Sequence, residues 1–160
     1  MNQQQNDLLA SVTRPNPVET EYTFSRIEGE IPRELNGTLY RNGPNQKTEP
    51  AAGYSAMHLF DGDALIHAIT FDDGKARYRG RYAQTDSFKR EQEEGEFVTG
   101  SLNFAPDRAI ENPPPFVTPN TNVVPHGGRL FALVENAPPF EMDPKTLDSK
   151  GSWDYDGKML

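Results

Sequence analysis

Three histidines, a pair of aspartates and one glutamate are the side chains whose type and setting suit chemistry. The histidines are His58, His67 and His126. A metal centre made of them needs all three to converge. His58 and His67 stand nine residues apart, which in one extended strand puts them on opposite faces and roughly 30 Å apart. A bend at Asp61-Gly62-Asp63 would remove that objection. His67 falls on an apolar strand face and reads first as a packed, hydrogen-bonded side chain, with metal ligand or catalytic base as the alternative. His126 precedes Gly127-Gly128 and reads as a polar turn residue. Asp61 and Asp63 flank Gly62, and paired carboxylates can hold Ca²⁺ or act as acid and base. The further oxygen ligands and closing Glu of an EF-hand loop are absent, so an Asx-type turn satisfying backbone N–H groups is the preferred reading. Glu135 closes the run Leu130-Phe131-Ala132-Leu133-Val134, which is apolar throughout. A carboxylate at the end of a buried strand needs a partner such as a histidine N–H or a cation.

The elements that must position these groups are mostly strands. Asp73-Gly74 between two apolar-rich runs is a strong short-range hairpin signal. With those two residues as the turn, facing residues sum to about 147, so Phe71 faces Ala76, Ile69 faces Tyr78, His67 faces Gly80 and Leu65 faces Tyr82. Ala76, Tyr78, Gly80 and Tyr82 then form a core face. Lys75, Arg77, Arg79 and Arg81 form a cationic ladder opposed only by Thr70, Ala68 and Ile66. A second hairpin is expected over residues 121–135 with Gly127-Gly128 as its turn. The segment from Asp86 to Glu96 is charged and suits a short helix stopping at Gly95. Leu147 and the stretch Gly151 to Tyr155 suggest a further strand pair. Residues 1–21 read as a flexible arm, with Pro15 and Pro17 against regular structure, and residues 22–160 as one domain. From Tyr22 to Arg41 the chain reads as extended, anchored at Phe24, Ile27, Ile31, Leu35 and Leu39. Pro106, Pro113, Pro114, Pro115 and Pro119 mark residues 97–119 as an irregular connection.

Composition narrows the class. The 160 residues include no cysteine, which excludes disulfides and thiolate metal sites. A net charge of −8 disfavours nucleic acid as a partner. No apolar run reaches transmembrane length, and the polar N-terminus lacks the order of a signal peptide, so a soluble cytoplasmic protein is the expectation. Strands recur without a helical layer, which favours an all-β sandwich, barrel or propeller. At roughly 40–50 residues per blade, residues 22–160 would supply about three blades.

Several motifs, in order, resemble the carotenoid cleavage oxygenases (the carotenoid oxygenase and retinal pigment epithelial membrane protein family). They are Gly37-Thr38-Leu39-Tyr40-Arg41-Asn42-Gly43-Pro44-Asn45, His58-Leu59-Phe60-Asp61-Gly62-Asp63, Arg81-Tyr82-Ala83-Gln84-Thr85 and Glu91 to Gly95. Asn120 to Glu135, Asp143-Pro144-Lys145-Thr146-Leu147 and Gly151-Ser152-Trp153-Asp154-Tyr155-Asp156-Gly157 complete the set. The resemblance implies the N-terminal part of a seven-bladed β-propeller whose axial iron is held by four histidines. It implies an Fe²⁺-dependent dioxygenase that uses O2 to cleave a C=C bond of an apolar polyene, a carotenoid or apocarotenoid, to carbonyl products. Glutamates outside the ligand set hydrogen-bond to three of those histidines, and Glu135 stands at the position of the first. The first iron-ligating histidine lies in an Ala-His-Pro motif that this sequence lacks. His58, His67 and His126 match family positions that are not ligands, so the chain reads as an N-terminal fragment, inactive alone, with all four ligands expected beyond Leu160. Two departures stand out. Ala64 replaces a glycine, and Val134 stands where lignostilbene-cleaving members carry a lysine that engages a phenolic substrate. The alternatives are a stilbene-cleaving or retinoid-isomerising member of the same family, or a non-catalytic acidic β-rich binding module. Family members often associate peripherally with membranes through an apolar patch, for which the Phe97 to Phe116 connection is the candidate.

Overall fold

The computed structural model describes residues 16–48, 59–96, 111–112 and 114–159. Its strands are β1 (Thr20–Thr23), β2 (Gly37–Arg41), β3 (Pro44–Asn45), β4 (Asp63–Asp72), β5 (Lys75–Tyr82), β6 (Asn122–His126), β7 (Arg129–Leu133), β8 (Phe140–Met142) and β9 (Ser149–Ser152). One helix, α1 (Asp86–Glu94), follows β5. The strands make two antiparallel sheets, in the orders β1-β5-β4-β2 with β3 also on β4, and β6-β7-β8-β9. These two sheets are what the described residues contribute.

Local turn chemistry sets both hairpins. Asp73 and Gly74 have φ of 43° and 73°, the double positive φ that a two-residue hairpin turn requires. The β4–β5 register is the one the turn dictates: Phe71 opposite Ala76, Ile69 opposite Tyr78, His67 opposite Gly80 and Leu65 opposite Tyr82. Gly127 and Gly128 repeat the device between β6 and β7, with φ of 57° and 77°. Pro125 is tolerated because β6 is an edge strand. In α1, the Thr85 side chain accepts from the Phe88 N–H, and Gly95 ends the helix in the left-handed region.

The main core forms on the face of β4 that the sequence assigned to the cationic ladder. Ala64, Ile66 and Ala68 pack with Ala83, Leu130, Ala132, Phe140, Met142 and Leu147, all buried, and this seam joins the two sheets. Each large apolar side chain buried there contributes on the order of 1.5–3 kcal/mol. Arg79 and Arg81 are drawn instead to the rim, where Glu21 pairs with both at 2.6 and 3.4 Å. The face carrying the tyrosines has its own small cluster of Leu65, Tyr82 and Phe88, but is open elsewhere. Tyr22 and Leu39 are 47% and 52% exposed, and Ile27 and Leu35 are exposed as well. Ile27, Leu35 and Leu39 are therefore not anchors within the described residues.

Two further expectations need correcting. Residues 16–21 do not behave as an arm: Thr20 and Glu21 pair with Gly80 and Arg79 in β1. Glu19 accepts the Tyr82 N–H at 2.7 Å, and the Asn16 carbonyl accepts the Tyr82 hydroxyl at 2.7 Å. Glu19 meets a backbone donor at the end of β5, and Glu21 pairs with the guanidinium groups of Arg79 and Arg81. Leu147 is not in a strand. It sits at φ 61° in the turn between β8 and β9, where Asp143 accepts the N–H groups of Lys145 and Thr146.

Candidate functional site

The site lies at one end of the inter-sheet seam, where loops from both sheets meet. A pocket of about 320 Å³ is lined by Phe60, Phe116, Thr118, Asn120, Thr121, Val134, Glu135 and Asn136. Sheet one supplies Phe60 through the 3-10 turn Leu59–Asp61 that leads into β4. Sheet two supplies Asn120 and Thr121 just before β6, and Val134 and Glu135 just after β7. The β6–β7 hairpin brings these two pairs of residues side by side, since Asn122 faces Leu133 across the ladder.

Glu135 is exposed on the pocket wall. Thr121 ties it down: its hydroxyl lies 3.0 Å from the Leu133 carbonyl and 3.3 Å from Glu135 Oε2. The Thr121 N–H also donates to the Leu133 carbonyl, at 3.1 Å. Glu135 is thus exposed rather than buried, and among the described residues no histidine N–H or cation pairs with it. It is held by one hydroxyl beside the pocket, with acceptor capacity for a donor arriving from that side. Val134 is half-buried beside it and presents an apolar wall, with Phe60 and Phe116, to the same space.

The Phe60 turn is held from two sides. Asn120, 3% exposed, donates its amide to the Phe60 carbonyl at 2.8 Å and to the Gly62 carbonyl at 2.6 Å. On the far side Gly62 lies against β3. A Cβ there would stand 2.8 Å from the Asn45 nitrogen and 3.0 Å from the Pro44 carbonyl carbon. Asn42 ties the same loop of sheet two from below, donating to the carbonyls of Pro119 and Asn122 at 2.7 and 2.8 Å.

The remaining candidates lie elsewhere. His67 Nδ1 is 2.7 Å from the Tyr78 hydroxyl on the open face of sheet one, and burial, with Arg41 adding, lowers its pKa. Gly80 makes room for that pair, because a Cβ there would meet the Tyr78 hydroxyl at 2.6 Å. His126 is exposed at the β6–β7 turn of the other sheet, and His58 lies outside the described residues. Asp63 accepts the Lys47 N–H at 3.1 Å, and burial pushes its pKa up to about 6. It acts on backbone, as the turn reading expects, though across sixteen residues rather than within its own turn. Among the described residues no three His, Cys, Asp or Glu side chains gather to hold a metal ion. Most of the Phe97 to Phe116 connection lies outside them too. No helix among them is long and apolar enough to cross a membrane.

Residues 13–160 match the Retinal pigment epithelial membrane protein family. The chain belongs to that family. It is 37% identical over 152 residues to lignostilbene-alpha,beta-dioxygenase isozyme III of Sphingomonas paucimobilis, covering 94% of this chain and 31% of that enzyme. It is 35% identical over 160 residues to a carotenoid cleavage oxygenase of Mycobacterium tuberculosis, covering 97% and 29%. Cobalt-substituted apocarotenoid oxygenase from Synechocystis superposes with a TM-score of 0.82 at 30% identity, over 94% of this chain and 32% of that one. The chain therefore spans about a third of the length of these relatives. The two sheets are the N-terminal portion of the β-propeller that family members share.

Of the site residues, Glu135 was singled out by its place after an apolar run and by the family resemblance. Phe60, Thr118, Asn120 and Thr121 were not. The polar run Asn120-Thr121-Asn122 ahead of a strand was the one available signal, and it could not say that Asn120 is buried against a turn 58 residues away.

Proposed function

We propose that the complete protein is an iron(II)-dependent dioxygenase that cleaves a C=C bond of a carotenoid or apocarotenoid to two carbonyl products. Each alkene carbon receives one atom of O2, so the four-electron reduction of O2 balances loss of the double bond and no outside reductant is needed. Among the described residues no His, Cys, Asp and Glu side chains gather into a ligand set. One of them suits a supporting role, for Glu135 is an accessible carboxylate whose only described tether is Thr121. In this reading it accepts an N–H from an iron-ligating imidazole contributed by residues beyond Leu160, fixing that ring's tautomer and orientation. Iron, when bound, supplies the O2 chemistry; Phe60, Phe116 and Val134 bind and orient an apolar substrate and keep water from it.

The observation that carries the reading is the pairing of Glu135 with Val134 on one apolar-walled pocket. In the complete enzyme, Glu135→Ala is expected to lower iron content or turnover by roughly 10–100-fold, measured by metal analysis and product formation. Unchanged iron content together with unchanged activity would refute the assignment. A second reading, cleavage of a hydroxylated stilbene, is favoured by the 37% identity to a lignostilbene dioxygenase. Product analysis with an apocarotenoid and a hydroxystilbene separates the two. Val134→Lys is expected to move selectivity toward the hydroxystilbene, because a lysine there adds a donor for a phenolic oxygen in an otherwise apolar wall.

A further inference from the structure

We infer that Asn120 is a positioning residue for the substrate pocket, holding the aromatic wall at Phe60 in fixed relation to the acid at Glu135. The inference rests on the reading of this pocket as the substrate site. Three observations carry it. Asn120 is nearly inaccessible, yet its amide reaches from the loop before β6 into the turn of the other sheet, meeting the carbonyls of Phe60 and Gly62. Those carbonyls lie in a 3-10 turn and the junction to β4, where the strand ladder does not satisfy them. The next residue, Thr121, bonds Glu135 through its hydroxyl. Two successive residues therefore reach opposite walls of one pocket, Asn120 to the aromatic side and Thr121 to the acidic side.

The arrangement has a mechanical consequence. Gly62 is pressed against Asn45 from behind, so the turn has little room to retreat into sheet one. Asn120 stops it from swinging outward. With both restraints the backbone turn that carries Phe60 is held in place; without the amide, the part-buried Phe60 carbonyl and the buried Gly62 carbonyl lose this donor and the turn is freer to shift. A side chain that sets the distance between an apolar wall and the reacting end of a substrate acts on binding and alignment, and small misplacements there cost large factors in rate. The chemical class affected is an extended, apolar alkene.

The test uses the complete enzyme with Asn120→Ala and Asn120→Gln, each alone and in a Phe60→Leu background. Asn120→Ala is expected to lower kcat/KM by about tenfold, mainly through KM, with iron content unchanged. Asn120→Gln keeps an amide donor and is expected to recover part of the loss, and it also serves if the alanine variant does not fold. In the Phe60→Leu background the loss is expected to shrink to less than about twofold, because residues that act through one another are not additive. An unchanged kcat/KM, or a loss of equal size in both backgrounds, would overturn the inference. Absence of turnover in the parent enzyme with every polyene and stilbene would instead sink the functional reading. In that event 4-fluorophenylalanine at position 60 decides the clamp. A ¹⁹F resonance displaced by Asn120→Ala supports it, and one that does not move overturns it.

Discussion

The seam between the sheets and the rim of the pocket are held by different forces. The seam is apolar: Ile66 and Ala68 from sheet one meet Leu130, Ala132, Phe140 and Met142 from sheet two, and several of these side chains are wholly inaccessible. The rim is polar and directional, built from side-chain hydrogen bonds of Asn42, Asn120 and Thr121 to backbone carbonyls. Non-directional burial tolerates rearrangement if volume is kept. A hydrogen bond from a buried amide does not, since moving the donor strands the acceptor. The seam thus sets whether the two sheets stay together, and the rim sets where Phe60 and Glu135 stand.

That contrast can be broken or sharpened by substitution. The largest effect is expected at the seam. Leu130→Ala should destabilise the complete protein by about 2–5 kcal/mol through the cavity left between the sheets, read from the urea midpoint. A loss below about 1 kcal/mol would mean that the sheets do not depend on this contact. Gly62→Ala comes next, at about 1–3 kcal/mol, because a methyl there meets the backbone of Pro44 and Asn45. The shift should fall on activity as well, since the same turn carries Phe60, and equal stability and activity to the parent would contradict the tight fit.

The smallest effect is expected at Asp63, with opposite sign. Its folded pKa of about 6 lies above the ordinary 3.8, chiefly from burial, so the folded protein binds this proton more tightly than the unfolded chain. Its contribution is therefore fully present below about pH 4 and is lost as pH rises to about 6. Asparagine can still accept the Lys47 N–H without a buried charge. Asp63→Asn should raise stability at pH 7.5 by on the order of 1 kcal/mol and flatten the profile between pH 4 and 6. A variant less stable than the parent at pH 7.5 would show that the ionised form is favoured by partners beyond Lys47.

The two aspartate–glycine motifs show how far local reading extends. Asp73-Gly74 fixed the register of β4 and β5 from Leu65 opposite Tyr82 to Asp72 opposite Lys75, because a two-residue turn admits one alignment. Asp61-Gly62-Asp63 told little, although it is closer to the chemistry. Its role depends on Asn120, Asn45 and Lys47, none of which is a sequence neighbour. The ladder of arginines misled for a related reason. Alternation identified which residues share a face, but not that Ile66 and Ala68, on that same face, would be covered by a second sheet.

By itself, then, the sequence determined the strands of the two hairpins, both hairpin turns, the limits of the helix and the family to which the motifs belong, since each depends on residues a few positions apart or on their order, but not β1, β3 or β8. It also marked Glu135 as an acid in an unusual place. Only the tertiary structure decided which face of β4 is the core, that Glu135 is exposed beside a pocket rather than buried, and that Asn120 joins that pocket's two walls. Those outcomes rest on contacts between sheets, and such contacts are specified by the summed burial and hydrogen bonding of residues far apart in the chain, which no local pattern records.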